Sequence, residues 1–174
     1  GSLTSIILID GVPADKGTVA ISSARAGDHG AINRFLQNIF RKPTSTDYAA
    51  QLEDPQYEPS DRIVARLGNH IIGHARVQMR DIHFGDIQLT VGYVCEMATA
   101  PEYRNNGIGT AILQQADDLM REQGAAMGLL KTPAVRFYQN HNWFIGGHHS
   151  YSVATARNIL SLLRKPDPKA NNQT

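Results

Sequence analysis

An α/β fold built on a mixed, mostly antiparallel sheet flanked by helices is what this sequence predicts. Three observations carry it. Between Ile63 and Thr99 apolar residues gather in strand-length runs separated by two-residue turn signals. Between Ile108 and Met120 the apolar period becomes helical. At Met127 to Leu130 a short apolar run returns to strand character. The resulting order is strand, helix, three strands, helix, strand, helix and a terminal element, which is an α/β order.

Val19 to Ser22 is the first predicted strand. Asp28 is placed as the N-cap of a helix running to about Phe40, with Ile32, Phe35, Leu36 and Ile39 on one face. Pro43 ends it. Residues 44–60 are poor in apolar side chains and are expected to form a loop, with one helical turn around Tyr48 to Leu52. Ile63 to Leu67 and His70 to Met79 flank Gly68-Asn69, a hairpin signal. Ile87 to Thr99 follows Gly85-Asp86 and is stopped by Pro101.

Ile108, Ala111, Ile112, Ala116, Leu119 and Met120 share one helical face, and Gly124 suits the position just past the helix end. Pro133 can open a helix over Ala134 to Asn140. His149 to Leu163 is ambiguous between strand and helix. One domain is expected over residues 3–164, with a frayed tail at 165–174 and a cloning remnant at Gly1-Ser2.

Composition narrows the function. A chain of 174 residues can bury a core without staples. Seventeen basic and 16 acidic residues leave a net charge of +1, so no bulk field favours nucleic acid or an acidic membrane surface. A single cysteine, Cys95, excludes an internal disulfide framework and a cysteine-only metal site, and fits a reducing, cytoplasmic setting. No apolar run reaches bilayer-spanning length, and Leu3 to Ile9 lacks the basic flank of a signal peptide. No metal site is expected. His148-His149 and His141 have no cysteine or acidic partner nearby, and adjacent strand residues point apart.

The most informative stretch runs from Val94 to Ile112. A strand leads through Ala100-Pro101-Glu102-Tyr103 into Arg104-Asn105-Asn106-Gly107-Ile108-Gly109-Thr110, where a helix begins. A helix start offers unpaired N–H groups and a positive dipole end, and glycines admit phosphate oxygens to the main chain. Arg104 adds a cation. The spacing is neither a P-loop nor a dinucleotide fingerprint, and a tight turn without a ligand is the alternative.

These residues resemble the acetyl-coenzyme A motif of the GNAT superfamily of N-acetyltransferases: a strand, Arg-x-x-Gly-x-Gly, then an amphipathic helix. Phe137-Tyr138 followed by Asn142-Trp143 resembles that family's second signature. The resemblance covers about Val19 to Val153. It implies the GNAT fold, with the family's fourth and fifth strands splayed so that the pantetheine arm fills the gap.

It further implies acetyl-CoA as co-substrate, held by Met97, Ala98 and Thr99 along the strand and by Arg104, Asn105, Asn106, Gly107, Ile108, Gly109 and Thr110 at the cradle. Direct attack by an amine on the thioester needs a base, an oxyanion donor and an acid for the leaving thiolate. Glu96, the one carboxylate of the strand, is the candidate base, and Tyr138 the candidate acid. Alternatives are a Glu96 paired with a lysine or a helix end, and a Tyr138 that only packs. Cys95 reads as a small apolar filler rather than a nucleophile.

Within the superfamily, the segments from His74-Ala75-Arg76-Val77 to Trp143 are most similar to aminoglycoside 2′-N-acetyltransferases. That implies an amino-sugar antibiotic as acceptor and a role in resistance. The mix of Glu53, Asp54, Glu58, Asp61, Asp81 and Asp86 with Arg62, Arg76 and Arg80 suits a weakly cationic drug such as kasugamycin. Asp54, His74, Asp81, Asp86 and Cys95 are the candidate acceptor contacts. A protein, peptide or other small amine is the second reading, and a non-catalytic acyl-CoA sensor the third. Ile159, Leu160, Leu162 and Leu163 could form a homodimer interface or dock on the core.

Overall fold

Two turns organise the centre of the sheet. Gly68 (φ +58°) and Gly85 (φ +57°) hold left-handed backbone that L side chains rarely adopt, and each sits where the chain reverses. They join β3 (Arg62–Leu67), β4 (His70–Phe84) and β5 (Ile87–Thr99) into an antiparallel meander. The computed structural model describes residues 5–8, 17–40, 58–131, 144–145 and 152–156.

Before the meander come β1 (Ser5–Leu8), β2 (Thr18–Ser23) and helix α1 (His29–Phe40). After it come helix α2 (Ile108–Glu122), β6 (Met127–Lys131), β7 (Phe144–Ile145) and β8 (Ser152–Ala156). Among the described residues the sheet has eight strands in the order β1-β2-β3-β4-β5-β6-β8-β7. All neighbours are antiparallel except β5 and β6, which run parallel because α2 carries the chain from one to the other.

The predicted α/β fold is the observed one, with corrections. Ser5–Leu8 is an edge strand that the sequence reading did not place. β4 continues to Phe84, past the predicted end at Met79. Asp28 lies just before α1, but its carboxylate accepts from the Arg25 N–H and pairs with Arg66 on β3 instead of capping the helix. The expected turn at Tyr48 to Leu52, the helix at Ala134 to Asn140 and the tail all lie outside the described residues.

The core forms where the two helices meet the sheet. α1 buries Ile32, Phe35 and Leu36, and α2 buries Ile108, Ile112, Leu113, Ala116 and Met120. Each fully buried aliphatic side chain of this kind contributes roughly 1.5–3 kcal/mol. Gly73 on β4 is what lets α2 sit close. A Cβ there would lie 2.7 Å from Ile112 Cδ1 and 3.1 Å from Ala65 Cβ. Gly124 (φ +79°) ends α2 as the sequence predicts. Among the described residues no helix is long and apolar enough to cross a membrane.

Candidate functional site

Helix α2 begins at Gly107 (φ +78°), which has no side chain to cap the helix end. The first α-helical bond is made by the Ala111 N–H to the Gly107 carbonyl, 3.0 Å. The Gly107, Ile108 and Gly109 amides therefore lie at the helix end, where the dipole is positive. Space above Gly107 is open, with nothing within 4 Å of where a Cβ would stand. Asn105 is also left-handed (φ +66°), which coils Arg104–Gly107 into a tight approach.

Side chains brace this turn. Asn106 Nδ2 donates to the carbonyls of Tyr103 (3.1 Å) and Arg104 (3.2 Å). Arg104 Nε donates to the Thr99 carbonyl at 3.3 Å, which ties an exposed cation to the end of β5. Open backbone donors, a helix N-terminus and a tethered guanidinium together suit a pyrophosphate.

The strand leading to the cradle is divided. β5 pairs with β6 only over Val91–Val94, where Val91 faces Met127 and Val94 faces Leu130. From Cys95 to Thr99 no described strand continues that ladder, while the opposite edge stays on β4. Among the described residues the β5–β6 ladder thus ends where β5 bends.

The bend is a β-bulge. His74 faces Ala98 and Arg76 faces Cys95, so Ala75 opposes two residues, Glu96 and Met97. Glu96 holds φ +52°, a conformation that costs a non-glycine residue about 1 kcal/mol or more.

Three side chains meet at the bulge. Arg62, fully buried at the start of β3, sends Nη1 to Glu96 Oε2 at 2.9 Å and to His74 Nε2 at 3.0 Å. The other imidazole nitrogen, Nδ1, lies 2.9 Å from the Glu96 carbonyl oxygen. A guanidinium can only donate, so His74 Nε2 accepts and Nδ1–H donates to that carbonyl. Arg62 and His74 share a face because they are diagonal neighbours across the β3–β4 pair.

Burial drives His74 down to about pKa 3, with Arg62 and Arg76 adding to the effect and the Glu96 carbonyl opposing it. The imidazole is neutral at physiological pH. Below pH 6.5 the unfolded chain takes up a proton that the folded chain refuses, so this group removes stability as the pH falls towards 3. The slope approaches about 1.4 kcal/mol per pH unit in that window. Unfolding midpoints measured from pH 7 to 4 should fall in the native protein, and more gently in a folded His74→Asn variant. Equal slopes would show that His74 titrates normally.

Burial also pushes the Cys95 thiol up to about 11, with the Glu96 charge acting the same way. It is a protonated thiol at neutral pH, with Sγ 3.7 Å from the Arg76 carbonyl oxygen.

The candidate acceptor contacts fare differently. His74 is completely buried and cannot line a substrate groove, which corrects its assignment. Asp81 pairs across the hairpin with Thr90, whose hydroxyl donates to it at 2.8 Å. Thr90 is six residues from Glu96 along β5, so Asp81 lies about 20 Å away at strand rise. Asp86, in the hairpin turn, lies about 33 Å away by the same measure. Both stand well along the hairpin from Glu96 by this measure.

Asp54, Tyr138 and Trp143 lie outside the described residues, as do His141, His148 and His149. Arg62 was missed as a site residue. Its signal was an arginine opening a strand just ahead of an apolar run, Arg62-Ile63-Val64-Ala65.

An open groove of about 890 Å³ lies on the α1 side of the Ala100–Tyr103 turn, walled by Phe35, Asn38, His70, Ile72, Glu102 and Tyr103. Glu96 is not among its walls. Among the described residues no group of three or more His, Cys, Asp or Glu side chains could hold a metal ion.

Residues 20–146 match the family described as acetyltransferase (GNAT) domain. No curated protein matched the chain. Solved structures share its fold. A GCN5-related N-acetyltransferase from Kribbella flavida superposes with a TM-score of 0.67 at 15% identity, over 74% of this chain and 33% of that one. This chain therefore spans about a third of that protein. Naa50 of Arabidopsis thaliana, in complex with a bisubstrate analogue, matches at TM-score 0.62 and 16% identity, over 79% of this chain and 98% of that one. N-acetylglutamate synthase from Neisseria gonorrhoeae, complexed with coenzyme A and L-arginine, matches at 0.61 and 16%, over 80% and 33%.

Proposed function

The chain belongs to the GNAT acetyltransferase family, and from that premise we propose that it moves an acetyl group from acetyl-CoA to a primary amine by direct attack, with Glu96 as base. One observation carries the reading. The β5–β6 ladder stops at Val94, so among the described residues no strand pairs with the β5 edge that runs past Glu96 towards the helix start at Gly107. An extended pantetheine arm suits the edge along Met97, Ala98 and Thr99, and its pyrophosphate suits the amides of Gly107, Ile108 and Gly109 beside Arg104. Asn105, Asn106 and Thr110 complete the turn.

In this reaction the amine first loses a proton to Glu96, directly or through water. Its lone pair then attacks the thioester carbon. The C–S bond of the tetrahedral adduct breaks, the thiolate takes a proton from Tyr138, and the proton still on the nitrogen restores the tyrosine, directly or through water. Amide and free coenzyme A are the products.

Gly109→Asp tests the cradle. It sets a side chain and a like charge against the pyrophosphate. Calorimetry with coenzyme A should show affinity lowered by roughly 100-fold or more, the scale of about 3 kcal/mol. Unchanged binding would place the cofactor elsewhere.

For the acceptor, the resemblance between His74 and Trp143 favours an amino-sugar antibiotic modified at its 2′-amine, with kasugamycin first to be tried and resistance as the biological effect. With Asp81 and Asp86 remote, Asp54 and the residues around Glu96 are left to meet it. A peptide amine is the second reading. It is favoured by the match with Naa50, which extends along 98% of that chain, and whose bisubstrate analogue carries the peptide sequence MVNAL.

Thiol release from acetyl-CoA, measured against an aminoglycoside panel and a panel of short peptides, separates the two. Mass spectrometry should find one acetyl group added to the acceptor. Acetylated peptides beside unmodified drugs would replace the first reading with the second.

A further inference from the structure

We propose that His74 is a positioning residue: as a fixed neutral Nδ1–H tautomer, it holds the Glu96 bulge in place and thereby aims the Glu96 carboxylate. The inference rests on the reading of Glu96 as base for its effect on turnover, but its geometry stands apart from that reading.

Glu96 is gripped at both ends. Its carbonyl accepts from His74 Nδ1–H and its carboxylate accepts from Arg62 Nη1. Arg62 and His74 are bonded to each other through Nη1 and Nε2. The three residues form a closed ring of hydrogen bonds, with one member from each of β3, β4 and β5. Two of the three, Arg62 and His74, are completely buried.

The ring has a use because the bulge is strained. A glutamate at φ +52° has no local reason to stay there. Were the strand to relax to regular pairing, the register between Ala75 and the Glu96-Met97 pair would shift by one residue, and side chains beyond the slip would change faces. His74 opposes this at the carbonyl, the one atom of Glu96 whose direction reports the bulge.

The tautomer matters as much as the residue. Arg62 can only donate, so it requires a lone pair on Nε2, and that leaves the proton on Nδ1, where the Glu96 carbonyl needs it. Arg62 thus sets the tautomer, and the tautomer sets the strand. An Nε2–H imidazole would break both bonds at once.

The primary test reads the tautomer by ¹⁵N NMR in the unaltered protein, so it does not depend on a variant folding. His74 should be neutral and Nδ1-protonated throughout roughly pH 5 to 8. An Nε2–H tautomer, or an imidazolium at pH 7, overturns the inference.

The second test uses turnover with acetyl-CoA and the best acceptor of the two panels. His74→Ala should lower kcat about 10- to 100-fold through misplacement, with the acetyl-CoA KM within about twofold. His74→Asn, which keeps a donor near the Nδ1 position, should recover part of the loss. In a Glu96→Gln background, His74→Ala should cost nothing further. An equal loss in both backgrounds means that His74 acts independently of Glu96, and the inference falls.

Failure of the base reading looks different. Glu96→Gln would then keep full kcat. In that case the ¹³C titration curve of the Glu96 carboxyl decides: it moves in His74→Ala if the ring holds Glu96, and stays unchanged if it does not.

Discussion

Replacing Glu96 by glutamine should lower kcat by roughly 10²- to 10⁴-fold, the range associated with a lost proton transfer. The substitution keeps the shape of the side chain and its ability to accept from Arg62, so the bulge should survive. What disappears is basicity. Turnover measured against pH should lose its acid limb, while coenzyme A affinity stays near the native value because the cradle begins eight residues further on. A full rate with a normal pH profile would show that another group deprotonates the amine. His74 is no substitute, since its Nε2 lone pair is engaged by Arg62 and its pKa is held near 3.

The second large effect is on stability. Arg62→Met should destabilise the fold by about 3 kcal/mol, a fall in Tm of about 6–12 °C for a domain of this size. The side chain is wholly buried, and methionine fills much of its volume. The loss therefore comes from stranding its partners. Glu96, 21% exposed, keeps a charge with no cation beside it, and buried His74 loses its donor. The net worth of the native pair would suggest less, because desolvation cancels much of its Coulombic attraction. The cost lies in breaking the pair. Calorimetric unfolding of the purified variant measures it, and an unchanged Tm would mean that Arg62 contributes little to stability. Combining Arg62→Met with Glu96→Gln should recover part of the loss.

Much of this fold was legible in the residues. β5 was bounded correctly because Gly85-Asp86 and Pro101 punctuate both ends. The periodicity of α2 and Gly124 located that helix to within two residues. β1 escaped notice because a four-residue edge strand carries too few positions for a period to show. The bulge could not be read at all. Its extra residue is a glutamate in a conformation that favours glycine or asparagine, so local composition argues against it.

Asp81 and Asp86 are near Glu96 in the chain, but an extended strand carries neighbours apart as fast as the backbone allows. Arg62 and His74 were visible as charged or titratable positions on strands. Which face each occupied depended on the register, and the register depended on the bulge.

The early end of the β5–β6 ladder has a consequence for the sheet itself. Natural sheets keep bare strand edges at their margins and blunt them with charges, prolines or short strands, because an unpaired row of N–H and C=O groups will accept any extended chain. Here, among the described residues, such a row runs through the interior of the order, along Cys95–Thr99, where the only charge is a glutamate already paired with Arg62. A donor molecule lying there would supply the missing partner. Bound at a hundred times its dissociation constant, it would also stabilise the fold by about 2.7 kcal/mol. Under the proposed reaction, acetyl-CoA is thus the ninth strand as well as the acetyl source, and each turnover ends with the sheet open again.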